Sequence, residues 1–179
     1  MSKVTQSSLV LIDGSNFYYK LKSLDVHRTL SYDYQKFAQL LPDISAEPQI
    51  HYYIGAVRDR STPKGEVLYT NQRRLLAALQ KQQVRYTLGY LLKSDAHYHE
   101  KGVDVQIAID MIQATYEETA SRIFLVSSDT DLLPAVKIAQ RKNVDVVYVG
   151  FSHQPSLAMI ANCSQSKLMT KQELLTCIS

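Results

Sequence analysis

A handful of carboxylates in this chain have the type and the local setting that metal-assisted chemistry needs. Asp13 follows the apolar run Ser8–Ile12 (SLVLI) and opens Asp13-Gly14-Ser15-Asn16. Asp129 and Asp131 stand in Ser127-Ser128-Asp129-Thr130-Asp131, directly after the apolar run Arg122–Val126 (RIFLV). Asp104 follows Lys101-Gly102-Val103 where a long helical pattern begins. Hard divalent cations take oxygen ligands, and Mg²⁺ is usually held by one or two carboxylates together with water and substrate phosphate. Aspartate's short side chain can place a carboxylate firmly from a strand end. A spare carboxylate straight after a buried strand is costly unless something there uses it.

Each of these residues also has a plain structural use. Asp13–Asn16 could be only a turn, with Ser15 or Asn16 as a helix N-cap. Asp104 could merely favour the positive end of its helix. Pro134 fits only a first helical turn, which puts the N-cap near Asp131, so capping alone could explain that residue. Asp129, two residues earlier and straight off the strand, is the better ligand. Asp110 lies six residues beyond Asp104, about 9 Å along the helix and about 120° round it. That leaves Asp110 at the edge of a site or on the surface. His97 and His99 have i, i+2 spacing and could bind metal, although a lone pair of loop histidines is more often uncommitted. Tyr18-Tyr19 and Tyr52-Tyr53 could stack nucleobases, with half of each pair expected to face the core.

The elements that must position these groups alternate between strand and helix patterns. Strands are expected at 8–12, 49–57, 84–91, 122–126 and 144–149, and helices at 16–24, 34–41, 66–82, 103–119, 132–141 and 155–161. The tail adds an edge strand and a helix from Lys171. Segments 58–65 and 93–102 read as polar loops, and Asn143 suits the left-handed end of a helix. Strands that are continuously apolar and alternate with helices indicate a mainly parallel sheet covered on both faces. In such sheets ligands bind beyond the carboxyl ends of the strands. The segments carrying Asp13, Asp104 and Asp129 would all open there.

Composition narrows the function classes. The chain has 179 residues, 45% hydrophobic and 21% charged, enough for one domain with a real core. We expect a single domain over 1–179, with its core at about 8–168 and a terminal helix at about 171–178. Residues 1–8 lack the apolar core of a signal peptide, and no apolar run approaches the ~20 residues of a membrane span. Cys163 and Cys177 form neither a disulfide framework nor a zinc site. These features lead us to expect a soluble, cytoplasmic protein. The net charge is +3, but Arg58, Arg60, Lys64, Arg73, Arg74, Lys81 and Arg85 fall in one stretch. Basic residues beside a carboxylate cluster suit a polyanion brought to a metal; they equally suit a solvated face.

Three motifs in order, Leu11–Asn16 (LIDGSN), Lys101–Met111 (KGVDVQIAIDM) and Leu125–Pro134 (LVSSDTDLLP), resemble the NYN domain, and more narrowly the LabA-like group of the PIN-like nuclease superfamily. The resemblance spans almost the whole chain. It implies a PIN-like (Rossmann-like) three-layer α/β/α sandwich and Mg²⁺- or Mn²⁺-dependent cleavage of RNA. Carried over by position, Asp13, Asp104 and Asp129 resemble the metal-binding carboxylates. Asn16 resembles the residue that orients substrate or the metal's water, and Asp131 falls on a further acidic position. Ser128 stands where relatives often have Gly. Lys101 and the basic residues of the 58–65 loop (Arg58, Arg60 and Lys64) are placed to neutralise RNA phosphates. Single-stranded or structured RNA is the expected partner, and the C-terminal helix could pack on this domain or on a partner, a second copy or another protein.

The main alternative is a non-catalytic RNA-binding module on the same fold. An adhesion-type metal site needs a second serine where Phe17 stands. A haloacid-dehalogenase-like phosphatase needs an aspartate where Ser15 stands. A dinucleotide enzyme needs a Gly-rich fingerprint that does not follow Asp13.

Overall fold

The computed structural model describes residues 7–26, 29–57, 60–94 and 97–178. In chain order the elements are β1 (Ser8–Asp13), α1 (Gly14–Ser23), α2 (Tyr34–Gln39), β2 (Gln49–Gly55), α3 (Pro63–Lys81), β3 (Arg85–Ser94), β4 (His97–Lys101), α4 (Val103–Tyr116), β5 (Arg122–Val126), α5 (Leu133–Arg141), β6 (Asp145–Phe151), α6 (Leu157–Asn162), β7 (Gln165–Met169) and α7 (Lys171–Thr176). The strands form one sheet in the order β4-β3-β2-β1-β5-β6-β7. All neighbours are parallel except β3 and β4.

The fold is the expected PIN-like α/β/α sandwich. From β1 the chain builds outward through β2 and β3 on one side. It then returns to the other side of β1 with β5 and continues through β6 and β7. The strand order therefore reverses between β1 and β5, where an open α/β sheet leaves a crevice beyond its strand ends.

Side-chain alternation sends Val10 and Ile12 of β1 to one face and Leu11 to the other. The first face packs with Phe17 of α1, Phe37 of α2, Leu79 of α3 and Leu174 of α7. The second packs with Ile107 and Met111 of α4, Val136 of α5 and Met159 of α6. Because both faces are covered, β1, β5 and β6 are apolar at nearly every position. Val103, Ile107, Met111 and Ala114 of α4 are buried as their spacing implies, and Asn143 has the expected left-handed backbone, φ 61°.

Two local readings are corrected. The segment read as a polar loop at 93–102 is mostly strand: Tyr90–Ser94 pairs antiparallel with His97–Lys101. An edge strand needs only one partner and no continuous apolar run, so HYHEK carries no strand signature. The helix expected from Glu66 starts at Pro63, with Thr62 capping the Gly65 amide. Proline has no N–H to lose in a first turn. Leu68 of this helix is 48% exposed.

Candidate functional site

β1 brings Asp13 to the crevice with its backbone extended (φ −69°, ψ 104°) and its side chain as the N-cap of α1. Oδ1 accepts the Asn16 amide at 3.0 Å. The capping residue is therefore Asp13 itself, not Ser15 or Asn16. Its Oδ2 accepts a hydrogen bond from the Ser127 hydroxyl at 2.9 Å. Asp13 is only 6% exposed, so these partners offset the cost of burying a carboxylate. Gly14 is required by close approach. A Cβ there would stand 2.4 Å from the Tyr52 ring and 2.6 Å from the Tyr53 carbonyl oxygen.

The end of β5 continues the same polar chain. Ser127 Oγ accepts the Asp129 amide at 3.2 Å, and Asp129 Oδ1 accepts the Asp131 amide at 2.9 Å. Asp129 caps the 3₁₀ turn Thr130–Leu132 that leads into α5. This corrects the expectation that Asp131 would be the cap; Pro134 does sit in the first turn of α5, but after that extra turn. Asp131 is exposed. From β6, the buried Tyr148 hydroxyl bonds the Ser128 hydroxyl at 3.1 Å and accepts the Ser156 amide at 3.0 Å. It ties the β5 loop to the start of α6.

α4 enters through Gly102, whose φ of 87° needs glycine, and its start has no side-chain cap. Asp104 follows in the first turn. Asp13, Asn16, Asp104 and Asp129 line one cleft of about 320 Å³, together with Ser15, Tyr19, Gly102 and Val103. Asp104 is exposed as a residue, but partial desolvation of its carboxyl lifts it above the usual aspartate range, and the charges of Asp13, Asp129 and Asp131 lift it further.

Among the described residues, no three His, Cys, Asp or Glu side chains converge tightly enough to grip one ion directly. The cleft nevertheless fits a hard divalent cation in two respects. Its donors are all oxygens, and its carboxylates repel one another. Magnesium commonly takes one or two carboxylates and completes its shell with water and phosphate.

Other candidates fall elsewhere. Arg60 is committed to Glu66 through two hydrogen bonds, at 2.8 and 3.1 Å, and its guanidinium lies over the Tyr69 ring. Lys64 is exposed in the first turn of α3. Arg58 lies outside the described residues. Lys101 ends β4, which also contains His97 and His99, and the side chains of all three lie outside what is described. Asp110 does not line the cleft; it is a part-buried member of a sheet-to-helix latch. It accepts the Tyr53 hydroxyl and the Gln106 amide, each at 2.7 Å, with His51 Nδ1 at 3.5 Å. The tyrosine pairs do not split as expected: Tyr52 and Tyr53 are both buried, one toward each helix layer, and Tyr18 and Tyr19 are both exposed.

Sequence reasoning missed Ser127 and Tyr148 as supporting groups. A serine after a strand is commonplace, and a tyrosine within VDVVYV reads as core. Only the parallel pairing of β1 with β5, which sets Ile12 beside Val126, makes Ser127 a neighbour of Asp13.

The NYN domain family matches residues 7–168 of the chain. No curated protein is similar in sequence. Among solved structures, the chain is similar to a Vibrio parahaemolyticus RIMD 2210633 protein of unknown function. The TM-score is 0.69 and the identity 23%, over 96% of this chain and 97% of that one. That likeness is one of fold.

Proposed function

The chain belongs to the NYN domain family of the PIN-like nuclease superfamily, and on that premise we propose that it is a divalent-metal-dependent endoribonuclease of the LabA-like group. The observation that carries this reading is the cleft at the strand-order reversal, where Asp13, Asp104 and Asp129 meet beside Asn16. Carboxylates gathered in this way suit a cation far better than they suit bare protein.

One or two of Asp13, Asp104 and Asp129 would hold Mg²⁺ or Mn²⁺ directly and the remainder through water. Such an ion lowers the pKa of a water molecule and polarises a phosphate for in-line attack. The chain's own groups have distinct tasks. Asp13, fixed by the Asn16 amide and the Ser127 hydroxyl, is the rigid ligand. Asn16 offers a side-chain amide to a phosphate oxygen. Asp131, which is exposed and does not itself line the cleft but whose charge reaches Asp104, would take the proton of the attacking water. The water oxygen bonds to phosphorus as one P–O ester bond breaks, and the leaving oxygen takes a proton from solvent. Lys64 and Lys101, with Arg58, neutralise flanking phosphates. Arg60 contributes only if it leaves Glu66.

The substrate is RNA with unpaired nucleotides, and the setting is the cytoplasm. No helix among the described residues is long and apolar enough to cross a membrane. The test is to incubate labelled RNA with Mg²⁺, Mn²⁺ or EDTA. Products that form only with metal support the reading. A folded protein that binds RNA yet yields no products with either ion would instead be an RNA-binding module.

A further inference from the structure

The polar side chains that line the aspartate cleft are short oxygen-bearing ones, and a single aromatic ring stands among them. That ring is Tyr19, which is 66% exposed. The neighbouring Tyr18 is 44% exposed, and the two rings meet edge to face, with centroids 5.5 Å apart and planes at 70°. The core-facing side of α1 is already supplied by Phe17 and Leu21, which are fully buried. Tyr18 and Tyr19 therefore add nothing to the core and leave aromatic surface in water, with Tyr19 beside Asp13, Asp104 and Asp129.

The ring is also held on a stiff mount. Asp13 caps the start of α1. Near its far end, Lys20 donates to the Gln154 carbonyl at 2.8 Å, and Ser23 bonds His153 at 2.7 Å. Asn16 and Tyr19 are three residues apart on this helix, so they are surface neighbours.

We propose that Tyr19, propped by Tyr18, is a stacking platform for an unpaired nucleobase next to the phosphate bound in the aspartate cleft. The inference rests on the nuclease reading for the identity of that phosphate. In a duplex both faces of each base are covered by neighbouring bases, so only an unstacked base can lie on the tyrosine. Stacking accepts any base, since all have a π-face. The site is thus selective for single-stranded over double-stranded RNA without reading sequence.

The chain contains no tryptophan, so Tyr19→Trp introduces a lone indole reporter at the platform. The probe is a uridine octanucleotide, alone or annealed to its complement, with Ca²⁺ replacing the cleaving ion. The single strand is expected to quench the Tyr19→Trp fluorescence saturably, and the duplex is not. Tyr19→Ala is expected to weaken single-strand binding roughly 5- to 150-fold, with unchanged circular dichroism, and Tyr19→Phe to retain it. Equal quenching by duplex, or wild-type affinity in Tyr19→Ala, overturns the proposal. Stacking that persists while no metal supports cleavage overturns the nuclease reading and leaves the platform standing. Cleavage that proceeds with Tyr19→Ala at wild-type KM overturns the platform and leaves the nuclease.

Discussion

Asp13 has two jobs, and this decides how the site should be probed. It caps α1 and accepts the Ser127 hydroxyl from inside the fold, so replacing it disturbs structure as well as chemistry. Asp104 is exposed in the first turn of α4. Asp104→Asn gives up a favourable charge at a helix start and relieves repulsion from three other carboxylates. These effects oppose each other, so its stability in urea is expected to stay within about 0.5 kcal/mol of wild type. Ser127→Ala removes one of the bonds to a buried carboxylate and is expected to cost about 1.5–3 kcal/mol in the same measurement. It should also weaken Mn²⁺ affinity roughly 10–100-fold by titration calorimetry, as loss of an outer partner does. An unchanged Mn²⁺ affinity would show that Ser127 does not position Asp13. Gly14→Ala forces a Cβ against the Tyr53 backbone oxygen, which cannot swing aside. Its expected cost is about 1–3 kcal/mol or more, read from thermal unfolding.

At the scale of elements, legibility followed burial. β1, β5 and β6 lie between two helix layers and could be read from apolar runs alone. β4 could not, because an edge strand of His97–Lys101 gains from backbone pairing with β3, which leaves no trace in its side chains. The start of α3 was hidden by Pro63, which ends a helix inside but suits its first turn. The closing helix α7 shows local chemistry at work. Thr170 caps Glu173, whose carboxylate returns to the Thr170 amide at 2.8 Å and also meets Lys167. Burial alone would raise the Glu173 carboxyl, but the bonds from Lys167 and Thr170 outweigh it and hold it below the usual range. A depressed carboxyl stabilises the fold above its unfolded pKa, and the gain fades as pH falls through the folded value. Glu173→Gln is therefore expected to be less stable than wild type at pH 7, by about 1 kcal/mol. The gap should close below about pH 4. A gap that is constant with pH in thermal melts would mean that the charge of Glu173 contributes nothing.

For the whole molecule, strand–helix alternation was enough to imply a parallel sheet, but not its strand order. Nothing in the residues of β1 and β5, more than a hundred positions apart, announces that they pair. That pairing creates the reversal point and brings Asp13, Ser127 and Asp129 into one polar chain, to which α4 adds Asp104. The aspartates were legible because each follows a buried strand or opens a helix. Their supports, Ser127 and Tyr148, were not, because their roles exist only across strands. The exposure of both Tyr18 and Tyr19 was equally hidden, since the sequence led us to expect half of the pair in the core.

The most direct test is single-turnover cleavage of 5′-labelled single-stranded RNA in Mn²⁺ by wild type and Asp104→Asn, with both shown to be folded. Wild type is expected to cut and the variant to lose more than the roughly 10–100-fold that removing an outer partner costs, with EDTA abolishing the wild-type reaction. Cleavage by Asp104→Asn at the wild-type rate, or wild-type cleavage that survives EDTA, would contradict the proposed mechanism.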